Sequence, residues 1–238
     1  MADIPDPSWR LLEDARQYDE FTRMIVASIY PVIADQVLER TGITDGTCLD
    51  LGSGPAPLAL ALALLSNLQV TALDCSPGMV ALAEKNIRKN HLEDRVVPVL
   101  GDVHAIPADD GTFDLVVSRG SYHSWTDLPA AFREIYRVLK QGGTAYIGGG
   151  YGSARIRNEV LVIMKANGIS RDPDYPDRIR FRRIQPEEIA DSVGFAGISD
   201  YRIINDDSGF WIIIRKNREQ KAIPKNPLHF HDGFFFTP

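Results

Sequence analysis

Between Trp9 and Arg40 the apolar residues Leu11, Leu12, Ala15, Tyr18, Phe21, Met24, Ile25, Ile29, Val32, Ile33, Val37 and Leu38 recur at intervals of three and four. That is the spacing of one helix face, and Pro31 is expected to kink or divide the segment. The pattern then shortens to strand-length apolar stretches at Thr47–Leu51, Val70–Leu73, Val96–Leu100, Phe113–Val117 and Thr144–Ile147. Four of the five look like buried parallel strands, because helix-patterned sequence lies between most of them. Helices are predicted over Pro55–Leu65, over Pro77–Lys89 after Ser76, and over Leu128–Leu139 after Asp127, each with a capping residue or an opening proline. Asp102 to Thr112 is polar and reads as a loop with at most one helical turn. Strand and helix in alternation predict a parallel sheet with helices on both faces.

Beyond Gly150 the spacing predicts a helix over Ser153–Asn167, a loop over Gly168–Arg183 and a short helix over Pro186–Val193 that ends at Gly194. Ile198–Ile204 and Phe210–Ile214 are strand candidates joined by Asn205-Asp206-Asp207-Ser208-Gly209, a turn composition short enough to require a hairpin. The expected fold is therefore α/β and doubly wound, a three-layer α/β/α arrangement around a mostly parallel seven-stranded sheet whose last strand is antiparallel. An ordinary dinucleotide-binding sheet stays parallel to its edge. The tail from 217 to 238, with Phe234-Phe235-Phe236, has no periodicity and reads as a wrapping or partner-contacting segment through which a homo-oligomer could form.

Composition narrows the function classes. With 238 residues, 44% hydrophobic and 24% charged, the chain suits one folded domain and not global disorder. Its net charge of −6 supplies no basic field for a phosphate backbone, so nucleic acid is not the default partner. Two cysteines, Cys48 and Cys75, cannot build a disulfide framework or a thiolate-only zinc site, which suits a reducing, cytoplasmic setting. Met1 to Arg10 lacks the pattern of a secretory leader, and the longest apolar run, Pro55–Leu65, is too short to span a bilayer. His229 and His231 lack clustered carboxylates, so no metal site is predicted. The arginines Arg155, Arg157, Arg171, Arg178, Arg180, Arg182 and Arg183 read as a solvated face, with an anionic acceptor or an RNA phosphate as the other use of such side chains.

The strongest chemical signal is Cys48-Leu-Asp50-Leu-Gly52-Ser53-Gly54-Pro-Ala56, where a strand gives way to a helix. Glycines there allow a tight turn and close approach of a ligand, and the helix N-terminus offers free N–H groups to an anion. Asp74 follows Gly52 by 22 residues, directly after the second strand, where a carboxylate accepts hydrogen bonds from both ribose hydroxyls of an adenosine. Helix capping is the other role open to it, since Ser76-Pro77 follows. The third strand also ends in an acid, Gly101-Asp102-Val103, placed to meet an adenine amino group beside an apolar side chain.

Together these motifs resemble class I S-adenosylmethionine-dependent methyltransferases. Asp50-Leu-Gly52-Ser53-Gly54-Pro is similar to that family's first motif, Leu73-Asp74-Cys75-Ser-Pro-Gly-Met79 to its second, Gly101-Asp102 to its third and Phe113-Asp114-Leu-Val-Val-Ser118 to its fourth. The segment Glu134–Gly143 resembles the approach to its fifth strand, and the small-molecule branch is the better match. Ala56 departs from the pattern where a third glycine is common.

The resemblance implies that S-adenosyl-L-methionine is the cofactor. Gly52, Ser53 and Gly54 would flank its methionine part and Asp50 would orient its amino group. Asp74 would hold the ribose, with Cys75 and Met79 beside the adenosine and Gly101, Asp102 and Val103 at the adenine. Ser118 and Arg119 would lie near the sulfonium. It further implies a single domain over 1–216, with an N-terminal helical lid at 8–40, a core at 46–150, an insertion at 151–183 and a terminal helix and hairpin at 185–216. The acceptor would be a small molecule, with Tyr18, Tyr122 and Trp125 as candidate contacts and His123 as candidate base. A non-catalytic S-adenosylmethionine sensor or assembly subunit, an RNA or protein methyltransferase, and a nicotinamide-dependent dehydrogenase are the alternatives.

Overall fold

A computed structural model of the chain describes residues 27–166 and 184–217. In chain order the elements are α1 (Ile29–Thr41), β1 (Asp45–Leu51), α2 (Pro57–Leu65), β2 (Asn67–Asp74), α3 (Pro77–Lys89), β3 (Val96–Leu100), β4 (Phe113–Arg119), α4 (Leu128–Val138), β5 (Leu139–Gly149), α5 (Ala154–Ala166), α6 (Pro186–Phe195), β6 (Tyr201–Asp206) and β7 (Gly209–Arg215). The seven strands form one sheet in the order β3-β2-β1-β4-β5-β7-β6. Neighbours from β3 to β5 are parallel, and β7 runs antiparallel to both β5 and β6. The predicted hairpin therefore inserts its second strand between β5 and its first.

Alternation along the strands divides the interior in two. Cys48, Val70, Ala72, Leu115, Val117, Tyr146 and Trp211 face a core completed by α1, α2, α3 and α5. Leu49, Leu51, Leu73, Val116, Ala145, Ile147, Ile212 and Ile214 face the opposite core, completed by α4 and α6. Helices thus lie on both faces, but unevenly. On the second face no helix among the described residues covers β2 and β3; only the loop after β3, through Val103 and Ile106, packs there.

Several boundaries differ from the periodicity reading. Pro31 sits in the first turn of α1, where an amide has no intrahelical acceptor anyway, and the expected kink or division of a longer segment turns on residues outside those described. Helix α2 starts at Pro57 and not Pro55, because its N-cap Ala56 adopts φ 66 and ψ 32, outside helical geometry. Strand β5 begins at Leu139, so α4 passes directly into it, and the Lys140–Gly143 stretch absorbs a register shift opposite Phe113–Leu115. Helix α6 runs through Gly194 to Phe195.

At the edge strand β3, Val97 is 55% exposed, and Pro98 protects the outer rim. Gly101 N–H donates to the Asp74 carbonyl, so by alternation the Pro98 nitrogen points away from β2, where no ladder bond is lost. Among the described residues no helix is long and apolar enough to cross a membrane. Residues 9–26 of the predicted first helical segment, most of the 151–183 insertion and the tail from 218 lie outside the described residues.

Candidate functional site

Strand β1 delivers Asp50 and Leu51 into a turn of Gly52, Ser53 and Gly54 at the carboxyl edge of the sheet, beside β4, where the strand order reverses. Ligands of open α/β sheets bind at such a switch point. Gly52 has φ 64 and Gly54 φ 55, the left-handed region that glycine enters without strain. A Cβ on Gly52 would stand 2.3 Å from the Ser121 Cβ, so the turn is wedged against the loop after β4. Two straps hold it from the other side. Ser53 N–H donates to the Leu73 carbonyl at 3.0 Å, and Gly54 N–H donates to Asp74 Oδ2 at 2.8 Å. Asp74 Oδ1 in turn accepts from Ser76 N–H at 2.9 Å, at the start of α3.

Charge at this turn is unbalanced. The Asp50 carboxyl is 2% exposed and accepts from Ala59 N–H at 3.1 Å, yet it has no cationic partner among the described residues. Burial pushes it up to about 8; the Ala59 N–H opposes that rise and the Asp74 charge adds to it. Burial also raises Asp74, against the N–H groups of Ser76, Gly54 and Cys75. Across the turn, Arg119 at the end of β4 spends its guanidinium on neutral groups. Nη2 and Nε reach the Gly150 carbonyl at 3.1 and 3.3 Å, Nη1 reaches the Tyr30 hydroxyl at 3.4 Å, and the guanidinium carbon lies 5.2 Å from the Tyr30 ring centre. It has no carboxylate partner among the described residues. Tyr30, Asp50, Gly52, Ser53 and Arg119 line one cleft of about 20 Å³, and the Ser53 hydroxyl is buried there without a partner among the described residues.

A solved structure from Methanococcus maripaludis, itself provisionally assigned as an S-adenosyl-L-methionine-dependent methyltransferase, is 42% identical over 94% of this chain and 100% of its own, with a TM-score of 0.80. The chain belongs to the S-adenosyl-L-methionine-dependent methyltransferases. The family profile described as a methyltransferase domain matches residues 49–147, which span the turn, the acid after β2 and the end of β4. A 2-phytyl-1,4-naphtoquinone methyltransferase of Nostoc is 27% identical over 82% of this chain and 93% of its own length. A malonyl-[acyl-carrier protein] O-methyltransferase of Geobacter sulfurreducens is 34% identical, but there the match spans only 48% of this chain and 45% of that protein.

The methyltransferase turn fits the cofactor of its family. S-adenosyl-L-methionine carries an ammonium and a carboxylate on one carbon, and among the described residues the cleft presents a buried acid lacking a cation, an arginine lacking an acid and a hydroxyl lacking a partner. Asp50, Gly52, Ser53, Gly54 and Arg119 are thus brought together, with Asp74 at the adjacent strand end. Met79 is buried in the first turn of α3 and Cys75 is exposed just before it. Burial raises the Cys75 thiol, and the charges of Asp74 and Asp102 add to that rise.

The remaining predicted residues have contacts of their own within the protein. Asp102 is 63% exposed at its side chain, and its Oδ1 accepts from His104 N–H at 2.9 Å and lies 2.7 Å from His104 Nδ1. The His104 N–H, more than any other group, holds that carboxyl below the usual range. Val103 packs into the second core, and the Gly101 backbone is pinned to Asp74. Ser118 is buried and donates to the Leu51 carbonyl at 2.8 Å. Tyr122 and Trp125 are buried in the same core as α4, Trp125 meeting Phe132 edge-on, and burial pushes the Tyr122 phenol up to about 12. His123 sits in a single 3₁₀ turn, Tyr122–Ser124, its ring 3.9 Å from that of Tyr122. Tyr18 lies outside the described residues.

Sequence reasoning missed two residues. Ser121 closes the turn, its Oγ 2.6 Å from the Ser118 Oγ and 3.0 Å from the Leu51 carbonyl. His104 bridges Asp102 to the Asp127 N–H that opens α4, at 3.2 Å. A serine two positions after a strand carries no distinctive signal; Asp102-Val103-His104 could have been read as an acid–histidine pair in one loop.

Proposed function

We propose that this chain transfers the methyl group of S-adenosyl-L-methionine to a small-molecule acceptor, with Asp50 and Arg119 holding the cofactor's amino-acid end. The observation that carries this reading is one cleft holding, among the described residues, an acid without a cation and an arginine without an acid. Asp50 would take the ammonium and Arg119 the carboxylate, with the turn's Ser53 hydroxyl as a further donor. Asp74 takes the Gly54 and Ser76 amides on different oxygens, and the acceptor capacity a carboxylate keeps beyond its backbone amides would serve the ribose hydroxyls. When bound, the cofactor supplies an electrophilic methyl carbon on a sulfonium, with S-adenosyl-L-homocysteine as the leaving product.

The chain's own contribution is placement and exclusion of water. The turn, locked by Ser121 and Asp74, fixes the cofactor end, and the Arg119–Tyr30 stack closes over Asp50. Where the acceptor is a hydroxyl, His123 would take its proton, from the loop that follows β4 beside the turn. The Nostoc relative, aligned along nearly its whole length, supports a small acceptor over a macromolecular one.

The test is mass-spectrometric detection of S-adenosyl-L-homocysteine when the purified chain is given cofactor and a pooled set of small acceptors. Product above the no-acceptor control, falling at least tenfold in Arg119→Gln, is expected. Cofactor binding with no product from any acceptor would instead make the chain a sensor. His123→Asn should lower kcat for a hydroxyl acceptor and leave cofactor affinity unchanged.

A further inference from the structure

The second face of β2 and β3 carries an open groove that no described helix covers. It has a volume of about 450 Å³ and is lined by Leu49, Thr71, Leu73, Val97, Val99 and Ile106 among others. Val97, on this face by alternation, is 55% exposed. Apolar surface of this kind on a sheet interior needs a cover, because leaving it in water forfeits the burial that drives sheet packing. Strand addition at the rim is not the way to supply one, since the Pro98 nitrogen offers no hydrogen at the outer edge of β3.

Two observations identify the occupant. The first is where the described chain stops. Lys216, just after β7, is anchored to the carboxyl end of α4: its Nζ donates to the Tyr136 and Arg137 carbonyls at 2.7 and 3.2 Å. Arg137 in turn holds the groove's own rim, donating to the Ala108 carbonyl and to Asp110 at 2.8 Å each. The exit of the tail is therefore one arginine away from the groove. The second is what the tail contains. The 21 residues from 218 to 238 hold Phe230, Phe234, Phe235 and Phe236, four of the chain's ten phenylalanines. They also hold the cations Arg218, Lys221 and Lys225 together with the acids Glu219 and Asp232, against a lining that includes both Arg95 and Asp109. Extended, such a segment reaches roughly 70 Å.

We propose that residues 218–238 dock into this groove of their own chain, the Phe234–Phe236 run covering Val97 and Val99 in the place that a helix would otherwise fill on the second face. Docking of this kind buries aromatic surface on both partners. It also supports the ends of β2 and β3, which carry Asp74 and Asp102.

The test uses the full chain with Phe235 replaced by the photoreactive p-benzoylphenylalanine, irradiated at low protein concentration and mapped by peptide mass spectrometry. Crosslinks within one chain, to the peptides holding Val97–Val99 or Ile106–Asp109, are the expected result. Crosslinks to the same peptides of a second chain would overturn it in favour of an exchanged dimer, and crosslinks elsewhere, or none, would overturn it outright. A second measurement uses Val97→Glu in the full chain. It should lower the yield of groove crosslinks at least fivefold and speed amide hydrogen exchange in β3, whereas unchanged crosslinking would remove the groove as the docking site.

Discussion

The Asp74 carboxylate accepts the Gly54 N–H at 2.8 Å, joining the end of β2 to the turn after β1. One side chain therefore serves both as a brace for the glycine turn and as the proposed ribose acceptor, and the two roles separate by substitution. Asp74→Ala leaves the Gly54 and Ser76 amides without their acceptor, costing about 1–3 kcal/mol of stability in a denaturant titration. It should also weaken S-adenosyl-L-homocysteine binding at least tenfold by calorimetry. Asp74→Asn keeps one amide oxygen to accept, so its stability should lie nearer the parent while affinity still falls. An Asp74→Ala protein that bound the product normally would remove the ribose assignment.

Asp50 makes cofactor binding a proton-linked event. With its carboxyl pushed up to about 8 by burial, it is largely protonated at pH 7 in the free protein. An ammonium brought against it favours the ionised form, so binding should release close to one proton at pH 7 and fewer as pH rises past 8. Calorimetry in two buffers of different ionisation enthalpy counts those protons, and Asp50→Asn should bring the number to near zero. Stability follows the same group. Its folded pKa is raised above the unfolded value, so the folded chain binds the extra proton, and the stabilisation is lost as pH rises from about 4 through about 8. Free protein should therefore melt lower at pH 8.5 than at pH 6 by a margin that shrinks in Asp50→Asn and in the presence of cofactor.

The Arg119 side chain bonds the Gly150 carbonyl and the Tyr30 hydroxyl but no carboxylate among the described residues. If it receives the cofactor's carboxylate, Arg119→Gln loses a charge-assisted bond of about 1.5–3 kcal/mol, a tenfold to hundredfold rise in Kd. The discriminating measurement uses two ligands. S-adenosyl-L-homocysteine should lose that affinity, whereas 5′-methylthioadenosine, which lacks the amino-acid end, should bind parent and variant alike. Equal losses for both would place Arg119 in a general packing role.

Strand positions were legible because buried apolar runs bounded by turn residues have few other readings, and the glycine turn because its spacing to Asp74 is itself a signal. Other features were hidden by local rules that compete with tertiary ones. The Lys140-Gln141-Gly142-Gly143 stretch is poor in strand formers and reads as a loop, yet the pairing of Leu139 with Phe113 of β4 carries β5 back to Leu139. Pro31 reads as a kink or a division of the segment, and the start of α1 at Ile29 is what makes its missing amide harmless. The uneven covering of the sheet left a trace in β2, where Gln69 and Thr71 share a face with Leu73; periodicity says which residues share a face and not what lies over it. Asp102 was legible as an acid at a strand end, whereas its pairing with His104 depends on the fold of the loop. The ion balance around Asp50 and Arg119 is a property of three elements meeting, and no one-dimensional pattern carries it.

Ala56 is the residue where the family's glycine pattern is interrupted, and it adopts φ 66 with no exposed surface. A left-handed backbone brings an alanine Cβ against the following carbonyl at a cost of roughly 1–2 kcal/mol. The conformation is held because Ala56 N–H donates to the Ser53 carbonyl and the Ala56 carbonyl receives Leu60 N–H, which together aim α2 at the turn. Glycine removes the steric cost but adds freedom to the unfolded chain worth about 0.4–1 kcal/mol. Ala56→Gly should therefore be more stable by roughly 0.5–1 kcal/mol, the difference between those two terms. Ala56→Val, with a branched Cβ in the same left-handed geometry, should be less stable than the parent by more than that margin and should weaken cofactor binding. A destabilised Ala56→Gly protein would mean that methyl packing in this core outweighs backbone strain.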